Sequence, residues 1–336
     1  MNKLEQPGRI LNFNILMGFS AVQCGVKYRD FTSDYRVLCD CGLECSERFG
    51  LDIVTVMSDP MRETEGYGAK IVIPENDVPY CPVPLVDDIS HAERLVRRFN
   101  PHEGRRCEEN IKAVEYYRRH VTDGRLIAGW VEGAVAECCD LRGFADFLAD
   151  LACEDPAMLH GFLSTVCEQA KDYARAQVEA GADIIGIGDA ASSQISAEMF
   201  REFAFPYQKA IVDAVHAAGA KTKLHICGNT THVFDQMIAT GTDIIDVDWM
   251  VDLRRCKELV GDGKTVLCGN YDPVAVVLQG TPETIRAHVN ACCDLFPDGR
   301  YISAAGCEVP RNTPPENLMA VREALVERGA REWENK

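Results

Sequence analysis

Eight apolar runs recur along this chain, each ending in a polar residue, then turn chemistry, then a stretch of helical length, and this βα repetition constrains the fold more than any other feature. The runs span 9–17, 51–58, 125–131, 182–188, 221–227, 242–248, 265–269 and 301–305. They are continuous rather than alternating, as expected of parallel strands buried on both faces. Helices are predicted over 33–49, 108–120, 141–151, 156–180, 197–218, 231–239, 253–260, 282–295 and 315–328. Asp155-Pro156 and Ser196-Ala197-Glu198 stand where helices begin, and Gly181, Gly219, Gly241 and Gly329 where they end.

Eight such units in 336 residues predict an α/β fold, a (β/α)8 TIM barrel forming a single domain over 1–336, with neither a linker nor a low-complexity tract to divide it. The proline-rich stretch 67–88 predicts a β-hairpin inserted after the second strand, covering part of the barrel mouth. In such a barrel the chemistry collects at the C-terminal ends of the strands. Those ends gather Asp59, Glu132, Asp189, His225, Cys227, Asp246, Asp248, Trp249, Asn270, Asp272 and Cys307.

His225 and Cys227 lie two apart at the end of a strand, so the imidazole and the thiol share one face. Cys307, in Gly306-Cys307-Glu308, follows the last strand in the same way. Two thiolates and one imidazole with a fourth position free describe a catalytic zinc site. A structural site takes four protein ligands at short spacings, and the chain has no CxxC pair. With 8 histidines and 16 cysteines a chance His-x-Cys is expected in roughly every two or three such chains, so the position after a strand carries more weight than the spacing. Glu132 and Asp189 are candidates for the fourth position. Asp59, Asp189 and Asp272 read equally well as caps of the helices or turns that follow them. Asp246 and Asp248 share one strand face, where an unpaired carboxylate is costly.

The charge balance, 35 Lys and Arg against 52 Asp and Glu, excludes a basic surface for nucleic acid. No apolar stretch reaches the length of a membrane span and the N-terminus lacks a secretory signal, so a soluble, cytoplasmic protein is expected. The remaining cysteines are then read as free, mostly packed thiols. There is no Gly-x-Gly-x-x-Gly and no Gly-x-Ser-x-Gly, which leaves a dinucleotide site and a serine nucleophile without support.

The strand-ending His-Ile-Cys-Gly-Asn-Thr at 225–230, the Gly-Cys-Glu-Val-Pro-Arg-Asn-Thr-Pro-Pro-Glu-Asn run at 306–317, and Asp59 after Val54-Thr55-Val56-Met57-Ser58 resemble the uroporphyrinogen decarboxylase superfamily. Within it they resemble the zinc-dependent corrinoid methyltransferases, over roughly residues 10–325. The resemblance implies zinc ligation by His225, Cys227 and Cys307, a methylated corrinoid as donor, presented by a corrinoid protein, and a small thiol such as coenzyme M as acceptor. Of the acidic residues it matches Asp59; with Glu132, Asp189 and Asp248 from the strand ends this makes the candidate catalytic set, and Asn229 and Asn270 are the candidate contacts to the cofactor. The decarboxylases proper carry an arginine-rich segment after the first strand, where this chain reads Met17-Gly18-Phe19-Ser20-Ala21-Val22. The alternative expectation is a lyase acting on a non-porphyrin acid through Asp59 and other carboxylates. A homo-oligomer is compatible with the sequence, which carries no feature that decides it.

Overall fold

The computed structural model describes residues 9–334, with side chains described as far as residue 329. Its eight strands are all parallel: β1 (Leu11–Asn12), β2 (Ile53–Thr55), β3 (Leu126–Glu132), β4 (Ile184–Gly188), β5 (Lys221–His225), β6 (Ile244–Val247), β7 (Val266–Tyr271) and β8 (Tyr301–Ala305). They form one sheet in the order β1-β8-β7-β6-β5-β4-β3-β2. The seam between β1 and β2 is joined by Asp52. Its backbone N–H donates to the Asn12 carbonyl at 3.0 Å, and its carboxylate accepts from the Asn12 N–H at 2.9 Å. The expected barrel is present.

Two apolar cores follow from strand alternation. One fills the shell between sheet and helices. The other, built from Leu11, Phe13, Ile53, Leu126, Ile184, Ile244, Val266 and Ile302 among others, fills the barrel. Above that inner layer the alternation brings in larger and more polar groups. Trp130 on β3 fits because Gly186 on β4 has no side chain: a Cβ there would fall 2.1 Å from the indole. Lys223 on β5 is 1 % exposed, and its ammonium sits 4.8 Å from the Phe13 ring centroid and 5.5 Å from that of Trp130.

Three expectations are corrected. The first strand was expected over 9–17, yet regular pairing ends at Asn12 and a helix, Met17–Gln23, begins at its far end. Buried amides take over where the ladder stops: the Asn14 Oδ1 accepts from the Ala305 N–H at 2.9 Å and its Nδ2 donates to the Asn12 Oδ1. The hairpin over 67–88 reduces to a single antiparallel bridge between Val72 and Tyr80, because Pro74, Pro79, Pro82 and Pro84 have no N–H to extend it. This segment still leans over the mouth, since the Glu75 carbonyl accepts from Arg29 N–H and the Asn76 carbonyl from Arg311. The helix expected over 197–218 is interrupted by a wider turn at Phe200–Ala204, just before Pro206, whose missing N–H breaks the regular ladder. Among the described residues no helix is long and apolar enough to cross a membrane.

Candidate metal centre and active site

Strand β5 points Lys223 and His225 to the barrel axis, and Cys227 continues the same alternation just past the strand's end. Cys307 arrives from the turn after β8. The His225 Nε2 lies 2.9 Å from the Cys227 Sγ and 3.9 Å from the Cys307 Sγ, and the two sulfurs are 3.4 Å apart. All three ligand atoms fall within 4.8 Å of one another, and no carboxylate joins that group among the described residues. Atoms bound at the usual zinc distances to one tetrahedral ion lie about 3.5–3.8 Å apart, so this donor set fits such an ion with small adjustments.

The other imidazole nitrogen is fixed from below. Nδ1 lies 2.6 Å from the Asp246 Oδ2, an oxygen that also takes the Lys223 ammonium. With Nδ1–H donated to Asp246, Nε2 is the nitrogen that faces the sulfurs, and the one that would bind a metal once its own proton has left. Burial alone would raise the Asp246 carboxyl, but Lys223 and His225 outweigh it and hold it at about 2. Burial likewise opposes charge on His225, yet Asp246 and Cys307 prevail and raise the imidazole to about 9. The two sulfurs lie within hydrogen-bond reach of each other. The hydrogen bond from Cys227, then His225, lowers the Cys307 thiol to about 4, while Cys227 is raised by that same bond and by burial. The site therefore already favours a thiolate without a metal.

The remaining sequence candidates divide by what their polar atoms touch. The Asp248 Oδ2 accepts from the Gly228 N–H and its Oδ1 from the Met250 N–H, both at 2.9 Å, tying the turn after β5 to the turn after β6. Asn270 donates from Nδ2 to the Asp248 and Val251 carbonyls. The Asn229 Oδ1 accepts from the Thr231 N–H and shapes its own turn. Glu132 ends β3 inside the mouth, accepting from the Trp130 Nε1 at 3.3 Å, and burial, then Glu63, push its carboxyl up. The Asp189 carboxylate receives the Ala136 N–H at 2.8 Å and the Gln208 Nε2 at 2.7 Å. Both Asp59 oxygens accept from the Arg106 Nη1, at 2.9 and 2.8 Å, and one also takes the Ser58 hydroxyl. Asp272 caps the segment Pro273–Leu278 through the Val274 and Ala275 N–H groups.

Sequence reasoning missed Lys223, Glu63 and Arg106. Lys223 carried a signal, since it stands two residues before His225 in a run read as buried on both faces. Arg106 and Glu63 carried none, because their meeting with Asp59 and β3 depends on how the following helices pack.

The uroporphyrinogen decarboxylase (URO-D) family model matches residues 10–328. The chain belongs to the URO-D family. Among the relatives of this chain, the methylcobamide:CoM methyltransferase MtbA of Methanosarcina mazei is 32 % identical over 278 residues, 82 % of this chain and 79 % of the relative. The uroporphyrinogen decarboxylase of Trichodesmium erythraeum is 27 % identical over 299 residues, 87 % of this chain and 82 % of the relative. Among solved structures, a methyltransferase from Methanosarcina mazei shares the barrel fold with a TM-score of 0.86 at 23 % identity, covering 97 % of this chain and 96 % of its own.

Proposed function

We propose that this protein is a methyltransferase that moves a methyl group from a methylated corrinoid to a thiol, with zinc held by His225, Cys227 and Cys307. The observation that carries the reading is the convergence of two sulfurs and one imidazole nitrogen at the mouth of a URO-D barrel whose relatives include a methylcobamide:CoM methyltransferase. In the transfer a sulfur–methyl bond forms and the cobalt–methyl bond breaks. The electron pair of the broken bond stays on cobalt, which passes from Co(III) to Co(I), and the acceptor's thiol proton leaves to solvent. Bound there, Zn²⁺ supplies the Lewis acidity that makes an acceptor thiol a thiolate at neutral pH.

The chain's own residues supply the rest. Asp246 and Lys223 orient the imidazole, and Asp248 with Asn270 hold the turns on which Cys227 and the mouth loop stand. Glu132, its carboxyl pushed up by burial and then by Glu63, lines the mouth beside the Trp130 indole. Asn229 stands beside the Cys227 turn, in place to contact the corrinoid. Asp59 and Asp189 act as structural anchors, their oxygens engaged by neighbouring donors. The acid-lyase alternative needs Asp59 free to handle a proton, and Arg106 and Ser58 leave that reading less to stand on. The donor is carried by a separate corrinoid protein.

The test is demethylation of methylcobalamin followed by its absorbance, with coenzyme M and other small thiols as acceptors. Turnover is expected in wild type and a loss of at least about a hundredfold in Cys307→Ala, on the scale of removing a metal ligand or its support. Full activity in the variant would remove Cys307 from the site.

A further inference from the structure

The loop after β6 carries Trp249 and Met250, 48 % and 50 % exposed, although its backbone is held from several sides. The Met250 N–H donates to the Asp248 Oδ1 and the Val251 N–H to the Asp248 carbonyl at 3.0 Å. Asn270 donates to the carbonyls of Asp248 and Val251 from the neighbouring strand end. Gly306, the residue before Cys307, presses on the same loop: a Cβ there would fall 2.4 Å from the Trp249 nitrogen. On the other side, Asp248 receives the N–H of Gly228, the residue after Cys227. The loop is thus wedged between the two turns that carry the sulfurs. Beyond it, in the loop after β7, Val274 is 47 % exposed.

Exposed apolar side chains scattered singly need no explanation, but an adjacent Trp and Met on a fixed backbone beside the two ligand sulfurs are a different case. Such a loop has little conformational freedom left to lose, so a flat apolar ligand placed on it meets a preorganised surface. Resting on the methyl-transfer reading, we infer that Trp249, backed by Met250, is the platform on which one face of the corrin macrocycle is seated, with its methyl-bearing cobalt directed to the acceptor thiol at the metal site. The alternative occupant, a polypeptide surface alone, would leave the binding of a free corrinoid unaffected by changes at this loop.

The experiment titrates hydroxocobalamin and methylcobalamin, free of any protein carrier, into wild type, Trp249→Ala, Trp249→Phe and Met250→Ala, reading binding by calorimetry and following turnover separately. Trp249→Ala is expected to raise the Kd of both corrinoids about tenfold or more, the size of a lost aromatic stacking contact, and Trp249→Phe to recover most of it. Zinc content and the KM for the thiol should not change. Equal corrinoid affinity in wild type and in both alanine variants, or no corrinoid binding to wild type, overturns the platform. Tryptophan-dependent binding of methylcobalamin with no demethylation would support the platform while removing the methyl-transfer reading.

Discussion

Asp246 decides which nitrogen of His225 faces the sulfurs, and it does so while lying against a lysine that has no other anionic partner on its face of the barrel among the described residues. The pair is buried, so the Lys223 charge is tolerable only with Asp246 ionised beside it. Asp246→Asn is expected to weaken zinc binding about 10- to 100-fold, measured by competition with a chromogenic chelator, because the orienting partner of a metal-binding histidine is lost. Unchanged affinity would show that His225 is oriented by packing alone. Asp59 poses the converse case. Its carboxylate takes its close ion pair from Arg106, and Arg106→Ala should cost about 3–5 kcal/mol in urea unfolding by leaving a buried carboxylate only the more distant Arg62, at 3.9 Å. Zinc content in that variant should stay at the wild-type level; a variant as stable as wild type would show the ion pair to be dispensable.

At the scale of elements, the helices Met61–Gly66 and Ala134–Arg142 bring carboxylates together behind β3. Burial raises Glu63 to about 7, and burial followed by Glu63 raises Asp140 to about 8. In the unfolded chain both release their protons near pH 4, so between that pH and 8 the folded state holds more protons. Their contribution to stability is therefore complete below about pH 4 and lost as pH rises through 7 to 8. Unfolding free energy in urea is expected to fall from pH 5 to 8, and Glu63→Gln to flatten that slope by up to about 1.4 kcal/mol per pH unit. An identical slope in the variant would mean that Glu63 is already ionised in the folded protein.

The same elements show what was legible from residues alone. Strand alternation placed His225 and Cys227 on one face and paired Asp246 with Asp248, because a period of two survives in any barrel. It could not show that Asp246 turns to Lys223 while Asp248 turns to backbone N–H groups, since that depends on side-chain direction at the ends of neighbouring strands. The length of β1 was overread because Phe13, Ile15, Leu16 and Met17 are as apolar as a strand, while the hydrogen bonds there pass to Asn14. The hairpin fails for the opposite reason: Ile71, Val72 and Ile73 have the composition of a strand, but the prolines that follow remove the donors a ladder needs.

For the molecule as a whole, the barrel joins two places 80 residues apart in sequence, Cys227 and Cys307, because β8 closes against β1 and its following turn folds back over the axis. The αβ repeat announced that closure, and the motifs at the strand ends announced the sulfurs. Methyl transfer by this barrel requires that these three side chains hold a metal. The most direct measurement is zinc per chain, by plasma emission on protein purified without chelators, for wild type and Cys307→Ala. About one zinc per wild-type chain and far less in the variant is the predicted result; a metal-free wild type, or a variant as fully loaded as wild type, would contradict it.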